Sequence, residues 1–145
     1  MPAHTRQAAL AVAVGGAVGA SCRWALGTGL ATSSPGEIAW PWATLTANVV
    51  GCLLLGIVVA RLPFASSHTR VTVWRDGLGT GFCGGLTTFS TFSVEAAGML
   101  RAHRAGLAAA YLLASLVTGY AAFTVARRLA HARLHPRAAA PEATS

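Results

Sequence analysis

Long apolar runs separated by short clusters of polar, glycine and proline residues dominate the chain. Four of them reach the roughly 20 residues of helix needed to cross a bilayer core of about 30 Å. They extend from about Ala8 to Leu30, Trp42 to Ala60, Val71 to Leu100 and Gly106 to Ala126. Ser33-Ser34-Pro35-Gly36, the stretch Pro63 to His68, and Arg101-Ala-His-Arg104 punctuate them. This pattern predicts an all-α membrane protein of four transmembrane helices, one domain over residues 1–128. The Ala- and Pro-rich stretch over 129–145 reads as a disordered tail.

The third run departs from a plain anchor. Gly81-Phe-Cys-Gly-Gly-Leu-Thr-Thr-Phe-Ser-Thr-Phe-Ser93 sets two adjacent glycines and a dense series of hydroxyls where Leu, Ile and Val are expected. A helix should break there. Inside a membrane such a break is tolerated only where protein or water satisfies the freed backbone groups, and the exposed carbonyls then suit a cation. A bound Na⁺ or a polar pathway is therefore expected near Gly84 to Thr88. The competing reading is a helix contact whose hydroxyls bond back to the backbone. Gly15/Gly19 and Gly77/Gly81/Gly85 recur every four residues, a spacing that lets helices approach closely in lipid.

Composition agrees with lipid as the solvent: 54% of the 145 residues are hydrophobic and only 10% are charged. Soluble domains average about 25% charged residues. All basic residues are arginine. A nucleic-acid partner would need them in a stripe on a soluble face, whereas Arg127, Arg128, Arg133 and Arg137 cluster just after the last apolar run. Arginines so placed anchor a helix end and attract anionic lipid, so no nucleic-acid partner is expected. Cys22, Cys52 and Cys83 are too few and too scattered for a disulfide framework or a CxxC site, and read as small buried hydrophobes. Gly19-Ala-Ser-Cys22 only faintly matches a lipoprotein cleavage site, and the apolar run continues past it.

Several polar residues fall on defined helical faces. Asn48 stands one turn after Thr44 in the second run; it suits either an interhelical hydrogen bond or, through its two N–H donors, a dehydrated anion. Tyr111, Ser115 and Thr118 form a stripe at i, i+4 and i+7 in the fourth run. Phe89, Phe92 and Glu95 follow the break at i, i+3 and i+6. The two phenyl rings alone would be packing residues, yet their positive edges can contact a small anion where water is excluded. Glu95 and Arg23, ionisable groups within apolar runs, are either functional or close to an interface. Trp40 and Trp42, flanking Pro41, suit the headgroup level.

With these residues in view, the chain resembles the Fluc (CrcB) family of fluoride channels over nearly all of residues 10–125. The matching stretches are Gly15-Gly16-Ala-Val-Gly19 with Arg23-Trp24, Thr44-Leu45-Thr-Ala-Asn48-Val-Val-Gly51, and the highly specific Gly81 to Ser93 run with Glu95. The resemblance implies an antiparallel, dual-topology dimer with two fluoride pores and a structural Na⁺ held by the backbone carbonyls of Gly84 and Thr87. It further implies that Asn48 donates to fluoride and that Phe89 and Phe92 line the path with ring edges. Tyr111, Ser115 and Thr118 would form a polar track, Glu95 a pore position, and Arg23 the anion-attracting vestibule. Fluoride would leave the cytoplasm passively across the cell membrane.

Loop charge bears on the partner. With the N-terminus inside, one side holds Arg6, Arg61, Arg70 and the four C-terminal arginines, while the other holds Arg101 and Arg104. This bias predicts cytoplasmic termini and raises an oppositely oriented paralogue as the partner, beside a self-dimer. A four-helix proton-coupled multidrug exporter is the rival function; it needs a membrane carboxylate, typically in the first helix, where this chain has Arg23 instead. No catalytic constellation is evident, and Asp76 beside Arg75 reads as an ion pair or a cap.

Overall fold

The computed structural model describes residues 3–30, 39–62 and 68–134, so the expected Ser33–Gly36 punctuation and most of the Pro63–His68 stretch lie outside the described residues. Every described element is helical: α1 (Ala3–Gly29), α2 (Trp42–Arg61), α3 (Thr69–Arg75), a π-helical segment (Asp76–Cys83), α4 (Gly84–Leu86), α5 (Phe89–Arg101) and α6 (Ala105–Leu134). Three of these, over His4–Gly29, Trp42–Arg61 and Ala105–Arg133, are long and apolar enough to cross a membrane. The third apolar run is instead divided among α3, the π-helical segment, α4 and α5. Helix α6 continues past Arg128 to Leu134, so the beginning of the stretch expected as a tail is helical; residues 135–145, with Arg137, lie outside the described residues.

Glycine spacing accounts for the tightest packing. A Cβ on Gly15 would run into the carbonyl of Gly77, one on Gly81 would meet the backbone of Val12 and Gly15, and one on Gly85 would meet the carbonyl of Gly16. Helix α1 and the π-helical segment therefore touch backbone to backbone. The wider π turn is accommodated where Gly77, Gly79 and Gly81 leave no side chains to crowd it, and such turns frequently mark functional sites. Arg75 Nη2 meets Asp76 Oδ1 at 2.9 Å at the start of that segment, which decides for the ion pair.

The second layer pairs α2 with α6. Cys52 lies against Gly119, and Gly56 against Phe123 and Ala126, so the two helices run parallel. Between α5 and α6 the chain reverses through His103, whose φ of 59° is left-handed. Arg104 N–H bonds the Met99 carbonyl across this turn at 2.9 Å, closing the end of α5. Ala96, Met99, Ala108 and Tyr111 form the buried cluster joining α5 to α6, and Trp40 packs against it. Trp42 is the exposed ring of the pair. Leu10, Val14, Leu113, Leu116 and Val117 are exposed along α1 and α6, an apolar surface suited to lipid and not to water.

Gly81→Leu should abolish monodisperse folded protein on size exclusion in detergent, since backbone of α1 occupies the space. A Cβ on Gly98, by contrast, would meet nothing within 4 Å. Gly98→Ala should therefore raise thermal stability, by about 0.5–1 kcal/mol.

Candidate functional site

The break falls at two threonines. Thr87 (φ −79°, ψ 158°) and Thr88 (φ −146°, ψ 124°) are extended, a backbone shape that β-branched residues favour, and they separate α4 from α5. Asn48 on α2 holds this segment by pairing with Thr88 as a neighbouring strand would. Thr88 N–H donates to Asn48 Oδ1 at 2.8 Å, and Asn48 Nδ2 donates to the Thr88 carbonyl at 3.2 Å. Gly51, one turn further along α2, leaves room for the Thr87 side chain.

These bonds release two carbonyls. In an unbroken helix Thr88 N–H would bond the Gly84 carbonyl and Thr91 N–H the Thr87 carbonyl. Here the first donor goes to Asn48 and the second to Thr88 Oγ1 at 3.2 Å, the hydroxyl that caps α5. Gly84 is exposed, with open space around its Cα. Thr87 Oγ1 turns back to the Cys83 carbonyl at 2.9 Å. Two neutral oxygens at one break, each without its usual helical donor, make a donor set that fits a hard cation such as Na⁺.

A groove of about 660 Å³ opens beside the break. Asn48, Gly84, Thr87, Phe89, Phe92 and Ser115 all line it, so four helices and the break bring most of the expected site residues to one place. One of the two Asn48 amide protons is committed to Thr88, which leaves the other for a ligand. The Phe89 and Phe92 rings lie 6.1 Å apart and tilted by 39°, and Phe92 lies 5.1 Å from Tyr111. Ser115 Oγ, beside the Tyr111 phenol, is buried and makes no well-formed hydrogen bond among the described residues.

Glu95 is embedded in hydroxyl donors. Thr44 Oγ1 donates to its Oε1 at 2.7 Å and Tyr111 Oη to its Oε2 at 2.8 Å, tying α2, α5 and α6 together at one carboxyl group. Tyr111 is completely buried. Thr118 does not join this group: it is exposed and donates to the Ala114 carbonyl within its own helix. The polar stripe on α6 is thus split between an inward pair and an outward residue. Arg23 lines a second cavity of about 400 Å³ with Trp24, Thr28, Thr44, Thr88 and Thr91, and its buried Nε has no partner among the described residues. Thr88 is a wall of both cavities.

The bonding role of Thr44 and the clamp on Thr88 are additional to the residues expected from the pattern. Their spacing held a signal, since Thr44 and Asn48 share a face and Thr88-x-x-Thr91 is a cap-like pair.

Exposed apolar helices around a polar, aromatic-lined interior define a multi-pass, all-α membrane protein. The family profile of the CrcB-like protein, Camphor Resistance (CrcB), matches residues 10–127, and the chain belongs to that family. It is 44% identical over 133 residues to "Fluoride-specific ion channel FluC 1" of Mycolicibacterium paratuberculosis, covering 89% of this chain and 94% of that protein. It is 48% identical over 108 residues to "Fluoride-specific ion channel FluC" of Bordetella bronchiseptica, covering 74% of this chain and 78% of the relative. "Fluoride-specific ion channel FluC 2" of Rhodococcus jostii is 43% identical over 120 residues, covering 83% and 96% respectively. These relatives are named as channels, and the protein is not an enzyme.

Asn48→Leu should leave a Thr88 N–H and C=O unpaired, each a loss of about 1–3 kcal/mol. Thr88→Val, which removes the cap on Thr91 N–H and the hydroxyl contacts with Ser90 and Thr91 but keeps both backbone bonds to Asn48, should cost about 1 kcal/mol. Unfolding in mild detergent should rank the two in that order.

Proposed function

We propose that the protein is a fluoride-specific channel that lets fluoride leave the cell passively. The observation that carries this reading is the convergence of Asn48, Phe89, Phe92 and Ser115 on one groove at the helix break, in a chain whose relatives bear that function in their names. Fluoride is small and strongly hydrated, so a path must replace water with converging donors while leaving each site weak enough to release the ion. The free Asn48 N–H, the Ser115 hydroxyl and the two ring edges supply donors of that kind. Arg23, across Thr88 in the neighbouring cavity, would concentrate anions at the entrance. Thr118 would serve the track at the outward face of α6.

In this reading the run from Thr69 to Arg101 is the fourth crossing, broken at Thr87 and Thr88, and the functional unit is an antiparallel dimer. The Gly84 and Thr87 carbonyls would hold the structural Na⁺. A stationary cation there supplies long-range attraction for an anion that never touches it. Excess arginine on the side of the termini supports cytoplasmic termini in the cell membrane, with either a second copy or an oppositely oriented paralogue as partner. The exporter alternative is not favoured, because α1 contains no carboxylate.

Phe92→Ile should abolish fluoride efflux from proteoliposomes while size exclusion still reports an assembled protein; replacing Na⁺ by a bulky organic cation should silence the native protein in the same assay. Unchanged efflux in the variant would remove Phe92 from the path. For topology, a cysteine tag at the C-terminus should be labelled from the cytoplasmic side only. Equal labelling from both sides would replace the fixed orientation by a dual one.

A further inference from the structure

A groove of about 460 Å³ runs between α2 and α6, lined by Leu53, Ile57, Val125 and Leu129 and ending at Arg61 and Arg133. Leu53, Ile57 and Arg61 step by four along α2, as Val125, Leu129 and Arg133 do along α6. Each row therefore follows one side of its helix. Because the two helices run parallel, both rows pass from apolar to cationic in the same direction, and both guanidinium groups fall at one end of the groove. The eight residues from Leu53 to Arg61 rise about 12 Å, close to the ~15 Å of hydrocarbon in one leaflet. Arg61 and Arg133 are exposed and make no ion pair among the described residues. Asn48 and Ile57 are about two and a half turns apart, so this groove lies on the face of α2 opposite the candidate pathway.

We infer that the α2–α6 groove is a binding site for an anionic phospholipid, its acyl chain over Leu53, Ile57, Val125 and Leu129 and its phosphate between Arg61 and Arg133. The fit is amphipathic. Two planar guanidinium forks suit a phosphate diester, while the apolar floor suits a hydrocarbon tail and offers nothing to a free ion. A phosphatidylglycerol molecule presents both parts at the required separation.

Native mass spectrometry of the full chain, released from detergent containing phosphatidylglycerol or phosphatidylcholine, tests this directly. The native protein should retain phosphatidylglycerol in preference to phosphatidylcholine, and the double variant Arg61→Gln/Arg133→Gln should bind it about tenfold or more weakly. Leu53→Trp, which fills the floor and keeps both cations, should also lose retention, whereas Arg127→Gln/Arg128→Gln should keep it. Inorganic phosphate should not displace the lipid. The assignment is overturned if Arg61→Gln/Arg133→Gln binds as the native protein does, or if the Arg127/Arg128 pair matters equally. It is equally overturned if free phosphate competes, or if Leu53→Cys cross-links to a second copy through the groove.

Discussion

Asn48 holds open a helix that would otherwise close. By giving its amide oxygen to Thr88 N–H and its amide nitrogen to the Thr88 carbonyl, it supplies the backbone pairing that an extended segment lacks in a medium with little water. An unpaired peptide group there would cost a few kilocalories per mole, which is comparable to a large share of a domain's stability. The consequence extends beyond Thr88. Once Asn48 and the Thr88 hydroxyl have taken the two local N–H donors, the Gly84 and Thr87 carbonyls are left without their usual helical donors, and α5 starts anew after the break, carrying Phe89, Phe92 and Glu95.

A second constraint positions that clamp. Glycine contacts bring α1 against the π-helical segment, and Gly51 and Gly56 bring α2 against Thr87 and α6. With Cβ atoms at these positions the backbones would stand further apart, and an asparagine side chain would not span the gap to Thr88. Small residues and the single carboxamide of α2 therefore act as one unit. Glu95 serves a parallel purpose on the other side of Phe92, where two hydroxyls from α2 and α6 meet its carboxyl group and fix the direction of α5.

Hydrophobic pattern and residue spacing alone determined much of this protein. Runs of about 20 apolar residues demand helices in lipid, since a spanning backbone must satisfy its own hydrogen bonds, and Gly84-Gly85 with Thr87-Thr88 marks the place where the third run fails that demand. The π-helical widening was not legible, because Gly77, Gly79 and Gly81 permit it without requiring it; the close approach of α1 selects it. The edge-on contact of Trp40 with Tyr111 was not legible either, because residues 71 positions apart meet only through the packing of the helices.

Periodicity assigns residues to a face of one helix, and there its reach ends. Tyr111, Ser115 and Thr118 share a stripe by spacing, but only the neighbouring α5 decides that Tyr111 meets Glu95 while Thr118 faces outward. Asn48 likewise suited a helix contact or an anion by residue type, and the distance between α2 and the break brings its amide oxygen and one N–H to Thr88, which leaves the second N–H over. Local chemistry thus determined which groups were available, and tertiary packing decided which of them meet, because a hydrogen bond forms only when donor and acceptor are brought within about 3 Å in line.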